Sequence, residues 1–580
     1  MKKSLLFCFA LPFLLSGCSC SSGDGVVYTA TPLLGLTEEK KIESITSINL
    51  SYPYGADIPY INLSEGFSLF AYLRQNLEGD ADAAYTAKFS ATHSTITDER
   101  GLTCEVDTDK QTITIAEFDR FLYGNSNGAD PLSPAPVESK RKAIKLIPSK
   151  SSFTRGQTVT ISLANYPTLA LLPGGGGKDI RVPFAVFSDI FISGRPGFTG
   201  APFNFKDLYF VTEGLRGFGS AELNILGKQF FADAPKSKTV NSQLTKFAYE
   251  ETMFNLDYFY GLKGLRNISS FQEFAKEKGL EEDLLSGDVE KMDNAYARLL
   301  LRSLQDGHTT YFTQIPFRNY GEFALGPIHY SEAQIAKEKA DKELKEARAL
   351  AKVTKPFEIV DDTAFIFFTS FDELDETILY GTLDEDKIGG NNCALFAYAY
   401  QEIHKHPEVK NVVIDLLTNE GGGAESLAYC LGTVLGEFHL DSQNPLSGAR
   451  NRSTYRTDIN VDGVIDEKDV PLCDDYHVVM LDSSFSFSCG NLFPVAAMYN
   501  NPDIKSVGER TGGGCCAISG NYNALGASYL TSSLLMLTKE MNDGSFQPIE
   551  DGAEVDLPLT RDKMFDRAHI VTLIDNAFGE

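Results

Sequence analysis

The chain has 580 residues, 43% hydrophobic and 23% charged, with a formal charge of −27. That length exceeds what a single hydrophobic core supports, so three or four domains are expected. The negative charge argues against nucleic acid, or an anionic membrane surface, as an electrostatically held partner.

At the N-terminus, Lys2 and Lys3 precede an apolar run from Leu5 to Leu15 that ends in Leu15-Ser16-Gly17-Cys18. A basic start, a short apolar core and small residues before a cut describe an export signal over residues 1–17. The run is too short for an ordinary membrane span. Its ending resembles a bacterial lipoprotein lipobox. That resemblance implies lipidation of Cys18, a membrane anchor and a place in the cell envelope, at the outer membrane in a Gram-negative cell. Residues 18–38 are small and polar and read as a tether.

Residues 39–124 read as a β-rich module. Ser47–Tyr52 alternates, Ile58-Pro59-Tyr60 leads into an amphipathic segment through Phe67, Phe70 and Leu73, and Cys104–Ile115 has the pattern of a hairpin. The Asn-, Gly- and Pro-rich stretch 125–138 is a linker or long loop. Residues 139–235 read as a second β-rich module. There Asp179–Phe187 loosely repeats the earlier order of acid, apolar residue, Pro and aromatic. The Gly174–Lys178 run is followed by Asp179, not Ser or Thr, so it is read as a hairpin loop and not a phosphate loop.

Residues 236–352 read as a helical region. Phe247, Met253, Leu256, Leu299, Leu300 and Leu304 recur at three-to-four spacing, and the stretch ends in Asp306-Gly307-His308-Thr309 before Phe312. Ser331–Lys352 is so charged that it reads as a solvated helix between domains. From residue 353 to 580, apolar strands alternate with helices, as in a sheet covered on both faces.

Three features in this second half carry chemistry. Val478–Asp482 reads as a buried strand that passes through Ser483, Ser484, Ser486 and Ser488 into an apolar helix. A serine at such a junction exposes its hydroxyl beside free backbone N–H groups; the alternative is a set of strand-end and capping serines. Asn419-Glu420-Gly421-Gly422-Gly423 follows another buried strand. Its glycines let a backbone N–H approach a reacting carbonyl, or simply allow a tight turn. His308 is either a surface or capping residue or a base.

The order Asp-Gly-His-Thr, then strand–Asn-x-Gly-Gly–helix, then strand–Ser-x-Phe-Ser–helix resembles the tail-specific, or carboxyl-terminal-processing, serine peptidase family over the second half of the chain. The resemblance implies a multidomain α+β protein whose C-terminal α/β core is crotonase/ClpP-like. It implies Ser488 as nucleophile, Gly421 and Gly422 as oxyanion donors together with the N–H of Cys489, and a protein or peptide substrate. One branch of the family takes its base from a lysine at the position held here by Gly514. The histidine-using, tricorn-core-like branch fits better, with His308 as base and Glu550 as the third member; Glu554 is the reserve. The chain departs from the family at Cys489-Gly490-Asn491, and at Ala553 and Val555. A non-catalytic peptide- or wall-binding lipoprotein that keeps the fold is the rival expectation.

Outside this set, Asp458, Asn460, Asp462, Val464, Asp466 and Asp469 fall on positions 1, 3, 5, 7, 9 and 12 of a calcium-loop register spanning 458–469, with Gly463 at its turn. The segment resembles EF-hand and dockerin-type loops, which implies structural Ca2+. The alternative is an acidic turn.

Overall fold

The computed structural model describes residues 20–21, 27–36, 41–53, 57–77, 80–123, 141–174, 177–193, 198–212, 221–385 and 388–579. The expected signal, Cys18 and the 125–138 linker lie outside them. Among the described residues no helix is long and apolar enough to cross a membrane.

The C-terminal half is built on a six-stranded sheet. Its order is Phe357–Val360, Thr363–Phe367, Asn411–Asp415, His477–Asp482, Lys505–Gly508 and Leu557–Pro558. The first pair is antiparallel and every later pair parallel. The strands are apolar on both sides because both faces are covered. Ala364, Ile366, Val412, Ile414, Val478 and Met480 face one core with the helices Asn392–Ile403, Ala424–Leu435 and Cys489–Asn500. The alternate residues Phe365, Val413, Val479 and Leu481 face a second core with Leu344 and the C-terminal helix Arg567–Phe578.

Leu344 belongs to the charged helix Glu332–Ala351, which is therefore not a free bridge between domains. Ala340, Leu344 and Arg348 are buried at four-residue spacing, so one stripe of the helix packs while the rest stays wet. Arg348 makes two hydrogen bonds, of 2.8 and 3.1 Å, to the fully buried Asp415, and Arg567 adds a third at 3.2 Å. Burial pushes the Asp415 carboxyl up, but the two guanidinium groups hold it below the usual carboxylate range.

An eight-stranded sheet lies beside this core. Its main path is Ser152–Thr154, Arg450–Thr457, Phe438–Gln443, Ser528–Glu540 and Thr310–Thr313; Ile144–Leu146 also pairs with Arg450–Thr457, and Cys516–Tyr522 with Ser528–Glu540. The helical pattern expected to run to Phe312 thus ends earlier. Gln305 turns to φ 51°, and Thr310–Thr313 is a strand with Thr310 opposite Leu530. Threonines and aromatics favour the pleat, and the pairing partner decides the matter.

The two N-terminal β-rich stretches do not each close their own sheet. Tyr60–Asn62 pairs antiparallel with Ile180–Pro183, and Thr112–Ile115 with Val159–Ser162. The loose sequence repeat has a geometric meaning. Its two copies lie side by side, Ile61 opposite Val182, and each strand runs directly into a helix, Leu63–Leu77 or Phe184–Phe191. Asp179, the acid of the second copy, accepts a 2.6 Å bond from Ser64 Oγ at the start of the first copy's helix. Phe67, Phe70, Phe187 and Phe191 from the two helices fill the space between. The hairpin read over Cys104–Ile115 is Thr103–Asp107 paired with Thr112–Ile115. The strands that flank the glycine run, Leu172–Pro173 and Ile180–Pro183, pair antiparallel, and Gly175 and Gly176 lie outside the described residues.

Candidate active site

Ser488 sits at the mouth of the helix Cys489–Asn500 with φ 56° and ψ −121°. A non-glycine residue in that region costs on the order of 1–3 kcal/mol and is kept only where its surroundings enforce it. Here they do. Ser483 Oγ and Ser486 Oγ donate to the carbonyls of Leu417 and Leu416 at 2.6 and 2.7 Å, pinning the loop to the neighbouring strand. Phe487 N–H donates to Asn419 O and Ser488 N–H to Gly513 O. Two of the four serines are thus structural, as strand-end serines would be, and Ser488 is the half-exposed one held in strain.

The glycine loop lies against it. A Cβ added to Gly421 would come within 2.7 Å of Ser488 Cβ and 2.9 Å of Cys489 N. Gly421 has φ 104° and Gly422 φ 138°, so both positions need glycine. The Gly421 N–H is already used, donating to Asn419 Oδ1 at 2.9 Å. This removes it from the expected oxyanion donors. Among the described residues the N–H groups of Gly422 and Cys489 are left without an acceptor. Asn419 thus clasps both loops, holding Gly421 through its side chain and Phe487 through its carbonyl.

His308 reaches this place because the strand that follows it pairs with Ser528–Glu540. The ring is buried, with its centroid 4.7 Å from that of Phe487, and both ring nitrogens are buried with no hydrogen-bond partner among the described residues. Burial, against the pull of Asp306 and helped by Lys337, lowers its pKa to about 4. Asp306 shapes the turn, accepting the His308 backbone N–H at 3.0 Å and the Thr309 hydroxyl at 2.5 Å. Lys337, on the charged helix, lies 3.9 Å from the Phe487 ring centroid and 5.2 Å from that of Phe485. Burial depresses its pKa, opposed by Glu420 and Asp341.

Glu550 does not bond to His308. One carboxylate oxygen accepts the N–H groups of Gly514 and Cys515, at 3.2 and 2.9 Å, and the other accepts from Arg266 at 3.1 Å. Burial raises its pKa. It therefore fastens the loop whose Gly513 carbonyl receives the Ser488 N–H. Glu554 is a surface residue, its side chain 84% exposed and paired with Arg510. Gly514 has φ 88°, and an added Cβ would lie 2.7 Å from the Phe487 ring. The Phe487 ring thus lies against the space a side chain would need at this position.

The acidic loop 458–469 curls on itself. Asp458 accepts the N–H groups of Asp462 and Gly463 and the Tyr380 hydroxyl. Asp469 accepts those of Ile459, Asn460 and Asp466, joining the end of the loop to its start. The side chains of Asn460, Asp462 and Asp466 accept N–H groups two residues ahead, and Val464 is exposed. Among the described residues, no group of three or more His, Cys, Asp or Glu is gathered to hold a metal ion. The turn of the calcium register is present, with one oxygen each of Asn460, Asp462 and Asp466 and both of Asp458 and Asp469 accepting hydrogen bonds.

The sequence pattern gave no signal for Lys337 or Arg266, since one lies in a highly charged helix and the other in a loop. Phe487 was visible as part of the Phe-Ser motif, but its role as the surface on which His308, Lys337, Gly307 and Gly514 converge was not.

The model of peptidase family S41 matches residues 362–532, a span that includes Gly421, Gly422 and Ser488 and leaves out His308 and Glu550. No curated protein matches the chain. Among solved structures, a candidate peptidase of Parabacteroides merdae is 15% identical, over 57% of this chain and 97% of that one, with a TM-score of 0.39. A lipoprotein from Streptococcus agalactiae is 12% identical over 57% and 96%, at 0.33. Mature CPAF is 12% identical over 58% and 97%, at 0.35. TM-scores this low tie neither fold nor site to those proteins.

Proposed function

We propose that the chain, whose residues 362–532 match the model of peptidase family S41, is a serine endopeptidase of the cell envelope acting through Ser488, His308 and Glu550. In this reading Ser488 Oγ attacks a peptide carbonyl and His308 takes its proton. Buried and held neutral at ordinary pH, the imidazole is in the form a base requires. The N–H groups of Gly422 and Cys489 receive the oxyanion. His308 then returns the proton to the leaving amine, and water attacks the acyl-enzyme by the same route. Glu550 acts by fixing the 513–515 loop and by placing negative charge beside the site. The observation that carries the reading is the strained Ser488 backbone at a helix start, beside two N–H groups without acceptors.

Labelling with a fluorophosphonate tests it. The intact protein should label, and Ser488→Ala and His308→Ala should not. Labelling that survives Ser488→Ala would sink the assignment.

Lipidation at Cys18 and anchorage in the outer membrane rest on the Leu15–Cys18 ending. They predict incorporation of a fatty-acid probe that Cys18→Ala abolishes. Structural Ca2+ in loop 458–469 rests on the twelve-residue register and on the closure of Asp469 onto Ile459 and Asn460.

A further inference from the structure

Cys489 follows the nucleophile, and its thiol has no part in the chemistry proposed above. It is buried, and burial raises its pKa to about 12, so it stays a thiol and can donate. Its Sγ lies 3.1 Å from Gly422 O. Gly422 is the residue whose N–H is left for the oxyanion. Its neighbouring peptides are pinned on one side only by Phe371: Phe371 N–H donates to Gly421 O at 2.8 Å, and Gly423 N–H to Phe371 O at 2.7 Å. The Gly422 carbonyl, at the other end of the peptide that carries the Gly423 N–H, is held by the Cys489 thiol as a second anchor. At φ 138° a glycine has no side chain to resist rotation of its peptide planes.

We infer that the Cys489 thiol is a positioning residue for the oxyanion loop, fastening Gly422 to the nucleophile helix through the Cys489 Sγ–Gly422 O hydrogen bond. The same residue would then serve twice. Its backbone N–H is one oxyanion donor, and its side chain fixes the carbonyl of the residue that carries the other. The bond adds a second tie between the two loops beside the one Asn419 makes, so the donors keep their spacing when charge develops on the substrate oxygen. An oxyanion donor acts mainly on the charge of the transition state, so misplacing it costs the transition state more than the bound ground state, and the loss falls on the chemical step. The inference rests on the proposed role of Ser488, and its test separates the two.

The test is saturation kinetics of fluorophosphonate labelling, in which Ser488 Oγ displaces fluoride from phosphorus. Cys489→Ala and Cys489→Val remove the donor, one leaving space and one filling it. Both should lower the maximal labelling rate by about 10- to 100-fold with little change in the half-saturating probe concentration, in line with the cost of a displaced oxyanion donor. Cys489→Ser, which restores a hydroxyl donor, should recover most of the loss. A labelling rate in Cys489→Ala and Cys489→Val equal to that of the parent overturns the inference and leaves the nucleophile assignment standing. A serine variant as slow as the alanine variant, with equal melting temperatures, overturns it as well. Absence of labelling in the parent, or labelling that persists in Ser488→Ala, removes the catalytic reading and the inference with it.

Discussion

The ring of His308 rests on the ring of Phe487, centroid to centroid 4.7 Å, and Phe487 immediately precedes Ser488 in the chain. The proposed base is thus placed against the residue that precedes the proposed nucleophile, through a side chain that takes no part in proton transfer. Lys337 lies against the same phenyl ring and presses the electrostatics of His308 in the same direction as burial does.

The acid limb of the labelling rate should follow His308. With its pKa near 4, the imidazole is neutral from mildly acidic pH upward, so activity should hold down to about pH 5 and fall below it. Lys337→Met removes a positive charge that favours the neutral ring, so the limb should move to higher pH. A profile that does not shift would remove Lys337 from the site's electrostatics.

Stability carries the opposite face of the same shift. The unfolded histidine titrates near 6.5, so between that value and about 4 the unfolded chain binds the extra proton. The stability tied to His308 is full above pH 6.5 and is lost as pH falls through this window. His308→Phe should flatten the dependence of the urea midpoint on pH between 4 and 6.5.

Two glycines press against Phe487. An added Cβ would lie 2.5 Å from the ring at Gly307 and 2.7 Å at Gly514. Overpacking of this kind costs about 1–3 kcal/mol. Gly514→Ala should cost about 1–3 kcal/mol more because its φ of 88° is unfavourable for alanine. Urea titration should rank Gly514→Ala below Gly307→Ala, and both should label more slowly.

Glu550 and Glu554 are separated by a direct comparison. Glu550→Ala removes the acceptor for two N–H groups and for Arg266, and the labelling rate should fall by about 10²-fold, as misplacement of the loop that holds Ser488 would cost. Glu554→Ala breaks only an exposed ion pair and should leave the rate unchanged. The reverse ranking would give the role to Glu554.

Asp415→Ala should be among the most damaging substitutions far from the nucleophile. It leaves Arg348 and Arg567, both nearly buried, without their shared counter-ion, at a cost of about 3–5 kcal/mol. Calcium is checked by calorimetry: added Ca2+ should raise the melting temperature of the parent and not that of Asp458→Ala, as ligand linkage requires.

Much of the catalytic half was legible because its signals are local. The strands Asn411–Asp415 and His477–Asp482 carry the apolar runs Val412–Ile414 and Val478–Leu481, and the turns after them need small residues for close backbone approach. What escaped was long-range. Nothing within Thr310–Thr313 says that it will pair with Ser528–Glu540, and nothing within Ile180–Pro183 says that Tyr60–Asn62 is its neighbour. The stripe Ala340, Leu344, Arg348 was hidden because one of its three members is an arginine, whose burial depends on Asp415 some 67 residues away in sequence. Gly421 shows the same limit at the site. Its suitability as a donor could be read from the motif, but the claim of Asn419 Oδ1 on its N–H could not.

The strands Ile144–Leu146 and Ser152–Thr154 pair with Arg450–Thr457, some 300 residues further along the chain. A fragment cut to begin at the helical region would therefore present Arg450–Thr457 as a raw sheet edge, a template for joining one copy to another. The peptidase half is in this sense sealed by the part of the chain made first. Expression trimmed to the catalytic sequence would trade a longer chain for an aggregating one, and a useful truncation has to stop before residue 144.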